Sequence, residues 1–171
     1  MTLVEREKRI VAELAVLPDP HERLTYLMQR AAARPRLPEA ARVEGARVPG
    51  CVSRVWLTGQ LRDGQCHFMV DAESPMVLGL MGLLCEVYDG STPDEAAAAV
   101  SEVLSLSGLD RTLSPTRLQG MAHARSRLRQ IAAGLAEPST GREEIITLPE
   151  ASAAEAEQPL AAKVPSPTHA F

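Results

Sequence analysis

Five segments of this chain open with a helix-start signal, and that repetition constrains the fold more than any other feature. Thr2 is followed three residues later by Glu5, the spacing at which two side chains satisfy each other's unpaired backbone N–H groups. Asp19-Pro20-His21-Glu22 supplies a capping carboxylate, a proline whose missing N–H is harmless in the first turn, and a reciprocal glutamate. Ser74-Pro75 and Ser114-Pro115 repeat the cap-then-proline device, and Thr92-Pro93-Asp94-Glu95 carries the whole pattern. Apolar spacing names the faces these helices bury. Leu3, Ile10, Leu14 and Leu17 share one stripe, as do Leu24, Leu27, Met28 and Ala31, and later Leu118, Met121, Ala122, Leu128 and Ala132.

The segment 75–89 differs, because it is apolar nearly all round. Such a helix belongs in the middle of a domain. Gly79 and Gly82 each weaken it by up to about 1 kcal/mol relative to alanine, which implies that another element crosses closely there. Before it the period changes from helical to alternating. Val55 and Leu57 interleave with Arg54, Trp56 and Thr58 in a strand over 52–58. Cys66, Phe68 and Val70 interleave with His67, Met69 and Asp71 in a second over 65–71. The connector Gly59–Gly64 ends in Asp-Gly, a hairpin signal. Helices flanking a small antiparallel sheet make the fold class α+β. The reading divides the chain into a folded domain over 1–137 and a tail over 138–171. The tail is rich in proline, alanine and glutamate and is expected to be disordered, with Ile145–Leu148 as a candidate docking segment.

The net charge of −4 gives no basic surface for nucleic acid. The apolar run 76–88 is interrupted by Gly79, Gly82 and Glu86 and is too short to span a bilayer. The N-terminus lacks the apolar core of a signal peptide. Three irregularly spaced cysteines, Cys51, Cys66 and Cys85, argue against a disulfide framework and point to a reducing cytoplasm. His21, His67, His123 and His169 are scattered, with no tetrahedral ligand spacing and no phosphate loop. His67 and His123 read as surface residues.

Cys51 stands apart. It follows Val48-Pro49-Gly50 and precedes the first strand, where glycine allows unusual backbone and proline stiffens the approach. A loop-tip thiol there meets a partner, and Arg47 and Arg54 lie near enough in sequence to favour thiolate. The competing reading is a small apolar residue at the start of a strand. Cys66, in register with Phe68, and Cys85, inside the apolar helix, read as core.

Three stretches resemble one family. Gly50-Cys51-Val52-Ser53-Arg54-Val55-Trp56 is similar to the Gly-Cys-x-Ser-x-Val-Trp signature of the SufE/CsdE family of cysteine desulfuration proteins. Ser74 with its apolar helix and exit Val87-Tyr88-Asp89-Gly90-Ser91-Thr92-Pro93 resembles the family's central helix. Leu113-Ser114-Pro115-Thr116-Arg117-Leu118-Gln119-Gly120 resembles the start of its last helix. The resemblance runs from about residue 5 to 135. Ser74-Pro75-Met76 stands where members often have Ser-Asp-Ala, and Val52 and Arg54 replace frequent glutamines.

The resemblance implies a SufE/IscU-like fold and a sulfur acceptor. Cys51 takes persulfide sulfur from a SufS/CsdA-like cysteine desulfurase, stimulates it, and passes sulfur to an iron–sulfur scaffold or another acceptor. Arg117 maps to a supporting site residue, with holding the loop in place as its competing role. The chain is then a covalent sulfur-transfer partner rather than an independent enzyme. It needs no cofactor of its own, since the pyridoxal phosphate belongs to the desulfurase; a homodimer is left open. The rivals are a zinc or iron–sulfur scaffold module of similar fold and an independent thiol enzyme. The demands on such a thiol imply two loop poses, one tucked against an apolar patch and one swung out about Gly50.

Overall fold

Every one of the five start signals opens a helix in the computed structural model, which describes residues 1–136. Helix α1 (Leu3–Ala15) begins behind Thr2, and both halves of the Thr2–Glu5 capping box are made. Helix α2 (Pro20–Ala32) starts behind Asp19, α3 (Pro75–Tyr88) behind Ser74 and α4 (Pro93–Ala98) behind Thr92. A one-turn helix, α5 (Val103–Leu106), has no side-chain cap. The last helix, α6 (Pro115–Ala136), follows Ser114, whose Oγ accepts from the Arg117 N–H at 3.4 Å. Glu95 does not reach back to its own cap. Its carboxylate accepts the Leu3 N–H at 2.6 Å instead and ties α4 to the start of α1.

Strands β1 (Val55–Arg62) and β2 (Gln65–Ala72) pair antiparallel from Val55↔Ala72 to Arg62↔Gln65. Their turn is only Asp63-Gly64, with φ of 49° and 74°. Two consecutive positive φ angles are what a two-residue hairpin turn needs to match strand twist. The strand is therefore longer at its far end than alternation implies, and it begins at Val55 rather than at residue 52. Gly59 pairs with Phe68 inside it. A Cβ on Gly59 would lie 2.4 Å from Ile131 Cγ2, so α6 crosses the sheet where the side chain is missing. Asp71 departs from its expected place on a polar face. It is 2% exposed and ion-paired with Arg36 at 3.2 Å and Arg42 at 2.5 Å, which straps the segment after α2 across the end of β2.

The core centres on α3, where every residue but Pro75, Met76 and Glu86 is buried. Burying a single leucine contributes about 1.5–3 kcal/mol, and Leu80, Leu83 and Leu84 are all fully enclosed. Glu86 faces outward to Arg30 at 2.5 Å. Close crossing is real at Gly79, where a Cβ would meet the Met28 N at 3.0 Å and the Leu27 carbonyl carbon at 3.1 Å. At Gly82 the nearest atoms are 3.8 Å away, and no such constraint exists. The anticipated stripes are buried on α1 and α2 apart from the half-buried Met28, while Leu17 falls beyond the end of α1 and is half-buried; on α6, Met121, Leu128 and Ala132 are buried, Leu118 is half-buried and Ala122 is exposed. The tail over 138–171, with Ile145–Leu148, lies outside the described residues.

The two glycines of α3 should therefore behave oppositely. Gly79→Ala pushes into backbone that cannot yield and should destabilise by about 1–3 kcal/mol. Gly82→Ala meets ordinary contacts and should be neutral or stabilising by up to about 1 kcal/mol. Urea midpoints of the two variants decide this.

Candidate functional site

The loop before β1 is pinned at its base and lies along α6. The Val48 N–H donates to the Val55 carbonyl at 2.9 Å, and Arg47 bridges to Trp56. Between these anchors Pro49–Arg54 arches out. Gly50 turns the chain with φ +77°, in the left-handed region, and sets Cys51 down on the helix. The Cys51 S–H donates to the Gly120 carbonyl with a sulfur–oxygen distance of 3.7 Å. A Cβ at position 120 would sit 3.5 Å from the sulfur, in ordinary contact with it.

The thiol faces a cavity of about 340 Å³ with Val77, Leu80 and Met121 in its wall and Ser114, Thr116 and Arg117 at the α6 end. Cys51 is half-buried there, so the loop-tip position expected for it is only partly exposed. Its neighbour Val52 is 86% exposed. Burial pushes the Cys51 thiol above its ordinary range, because a low-polarity wall disfavours the charged form. The cationic help expected from Arg47 and Arg54 is absent. Arg47 pairs with Glu44 at 3.3 Å and Arg54 with Glu73 at 2.5 Å. Arg117, exposed and lining the same cavity, is the arginine that shares the site with Cys51.

The other two cysteines are sealed in the core. Burial, then the Asp89 carboxylate, pushes Cys66 up to about 11, and burial drives Cys85 higher still. His123 is not the surface residue that the sequence suggests. It lies under Gly50, half-buried, with Nδ1 enclosed. Arg127, one turn further, donates to the Gly45 carbonyl at 2.7 Å. Gly120, His123 and Arg127 fall at i, i+3 and i+7 and therefore share one helix face. That spacing was the available signal for the loop's seat. Among the described residues no group of three or more His, Cys, Asp or Glu side chains could hold a metal ion.

Fold and site together define an α+β domain that presents one loop thiol, half-sheltered, at its surface. A family model described as "SufE: Fe-S metabolism associated domain" matches residues 8–132, and the chain belongs to the SufE family. An uncharacterized SufE-like protein of Rhizobium etli is 30% identical over 129 residues, covering 72% of this chain and 87% of its own. A chloroplastic quinolinate synthase of Oryza sativa is 42% identical over 91 residues, which are 53% of this chain and 13% of the rice protein. The chain thus spans a small part of that relative's length. The solution structure of a hypothetical protein from Thermus thermophilus superposes with a TM-score of 0.64 at 24% identity, over 76% of this chain and 95% of the other; it shares the fold. Membership ties the chain to iron–sulfur metabolism in general.

Because burial favours the neutral thiol, the tucked pose is at full strength below the ordinary thiol pKa and weakens as pH rises through it. Alkylation of Cys51 in the folded chain should therefore rise at higher pH than in the urea-unfolded chain, and be slower at neutral pH. Cys66 and Cys85 should stay unlabelled while the fold persists. Quantitative mass spectrometry of the three cysteine peptides across pH measures both effects.

Proposed function

We propose that Cys51 accepts sulfur from the persulfide of a SufS/CsdA-like cysteine desulfurase and hands it on for iron–sulfur cluster assembly. The observation that carries this reading is the single half-exposed thiol, on a glycine-hinged loop beside exposed Val52, within a SufE domain. The Cys51 thiolate attacks the outer sulfur of the partner's persulfide. A new S–S bond forms on Cys51 as the bond to the desulfurase cysteine breaks. The desulfurase sulfur leaves as thiolate and takes up the proton that Cys51 gave, so no net oxidant or reductant is needed. The next acceptor thiolate repeats the exchange on the persulfide carried by Cys51.

The tucked thiol is a poor nucleophile in this pose, because its neutral form is favoured. Transfer therefore calls for a second pose, with the loop swung out about Gly50 into the partner. Arg117 lines the same cavity as Cys51 and supplies positive charge for the thiolate or the incoming persulfide. It makes no side-chain hydrogen bond to the loop among the described residues, which favours this role over fastening the loop. The pyridoxal phosphate that generates the persulfide belongs to the partner, and the setting we assign is the reducing cytoplasm. A narrower reading of the recipient draws on the likeness to a segment of a quinolinate synthase. Such an enzyme is a direct downstream candidate, beside a cluster scaffold.

Mixing the chain with desulfurase and cysteine should add one sulfur atom to the Cys51 peptide, seen by mass spectrometry. Cys51→Ser should fold normally and lose all stimulation of the desulfurase. A Cys51→Ser protein that stimulates like wild type ends this reading. For Arg117, exchange to alanine should slow transfer about tenfold, the effect of roughly 1.4 kcal/mol on the barrier. Arg117→Lys should recover part of the rate. Melting temperature should barely move in either, since surface changes are usually within about 0.5 kcal/mol.

A further inference from the structure

The Cys51 loop rests on one stripe of α6, and the contacts along that stripe differ in kind. At one end Arg127 donates to the Gly45 carbonyl at 2.7 Å. At the other the Cys51 thiol meets the Gly120 carbonyl at 3.7 Å. Between them lies His123, directly under the hinge. A Cβ on Gly50 would stand 2.2 Å from its Nδ1 and 2.5 Å from its Cε1, so the ring fills the space that any other residue at 50 would need. Nδ1 is enclosed and has no hydrogen-bond partner among the described residues. The hinge therefore closes on the ring by shape alone. Shape contact favours closure, whereas covering a nitrogen that water would otherwise hydrogen-bond opposes it.

We infer that His123 is a positioning residue that sets how readily the Cys51 loop opens, its imidazole being the seat on which Gly50 closes. This rests on the sulfur-acceptor reading for its purpose but not for its geometry. A partner can drive opening only through its preference for the open pose, and its apparent affinity falls by the fraction of molecules that are closed. A seat without a hydrogen bond keeps that fraction adjustable, while the Arg127 anchor holds the base of the loop through both poses.

The test is the rate at which iodoacetamide labels Cys51 in the full chain, without a desulfurase, for wild type, His123→Ala, Gly50→Ala and the double variant. His123→Ala removes the seat and should speed labelling at least threefold. Gly50→Ala drives a methyl group into the ring and should also speed labelling. In the double variant the methyl group has the vacated space and only the strain of a non-glycine residue at φ +77° remains, so labelling should be slower than in Gly50→Ala alone. Such non-additivity marks direct contact. With desulfurase, His123→Ala should lower the concentration giving half-maximal stimulation and leave the maximum unchanged. Labelling of Cys66 and Cys85 reports any loss of fold; should His123→Ala expose them, His123→Asn, which keeps an atom at the Nδ1 position, replaces it and should label between wild type and Gly50→Ala. A wild-type labelling rate in the His123 variant, or simply additive effects in the pair, overturns the proposal. Altered labelling with a wild-type chain that fails to stimulate any desulfurase would sink the sulfur-acceptor reading and leave the seat intact.

Discussion

The backbone contact between α2 and α3 at Gly79 is the constraint on which the rest of the molecule depends. A helix apolar on nearly every side needs a neighbour on every side, and α3 obtains one by letting α2 approach to within the space of a missing methyl group. With α2 seated there, the remaining faces of α3 are covered by β2, α1 and α6. The same device recurs at Gly59, where α6 lies so close over β1 that a Cβ would strike Ile131. Two glycines thus fix two close crossings, one between helices and one between helix and sheet. The conformational entropy lost at each is offset by the apolar area that close approach encloses.

The site is a by-product of those two crossings. Once α6 is held on the sheet at Gly59 and Ile131, its earlier turns overhang the start of β1, and the loop that feeds β1 has to run along them. The wall of the cavity is then core continued to the surface, with Val77 and Leu80 from α3 and Met121 from α6. This is why the thiol is sheltered by apolar atoms and not by charges, and why its acidity falls. Shelter protects a thiol from oxidation but blunts its nucleophilicity. A rigid site could not serve both ends, whereas a loop with fixed base and glycine hinge can.

Much of this was legible in the sequence where the physics is local. The cap residues and first-turn prolines located every long helix because they act within one turn. Asp63-Gly64 located the hairpin because two positive φ angles demand such residues. Cys51 was conspicuous because glycine and proline precede it. What escaped notice was decided by tertiary neighbours. Alternation put Asp71 on a polar face, but Arg36 and Arg42 arrive from a distant loop and allow its burial. Gly59 looked like the start of a connector because nothing local shows that Ile131 crosses above it. Arg47 and Arg54 looked like thiolate-stabilising cations because proximity in sequence says nothing of Glu44 and Glu73, which take their charge. His123 looked like a surface residue since its one distinguishing contact is with Gly50, far away in the chain.

The distribution of charge around the loop follows from the same logic. Arg47 and Arg54 flank the loop and each is answered by a carboxylate, so neither pulls the thiol toward ionisation while it is tucked. Glu73 receives both the Arg54 side chain and, at 3.4 Å, its backbone N–H, which fastens the strand start as well as neutralising the cation. Arg117, in the lining of the cavity, has no such partner within salt-bridge distance among the described residues. The cation left to favour a thiolate on the proposed reading is therefore Arg117, which lines the same cavity as Cys51. On the proposed reading, ionisation and exposure are one event: a thiol that stays tucked stays neutral, and a thiol that swings out would meet water and its partner together. Such coupling would make reactivity depend on docking, since neither burial nor charge alone distinguishes the right moment for attack from any other.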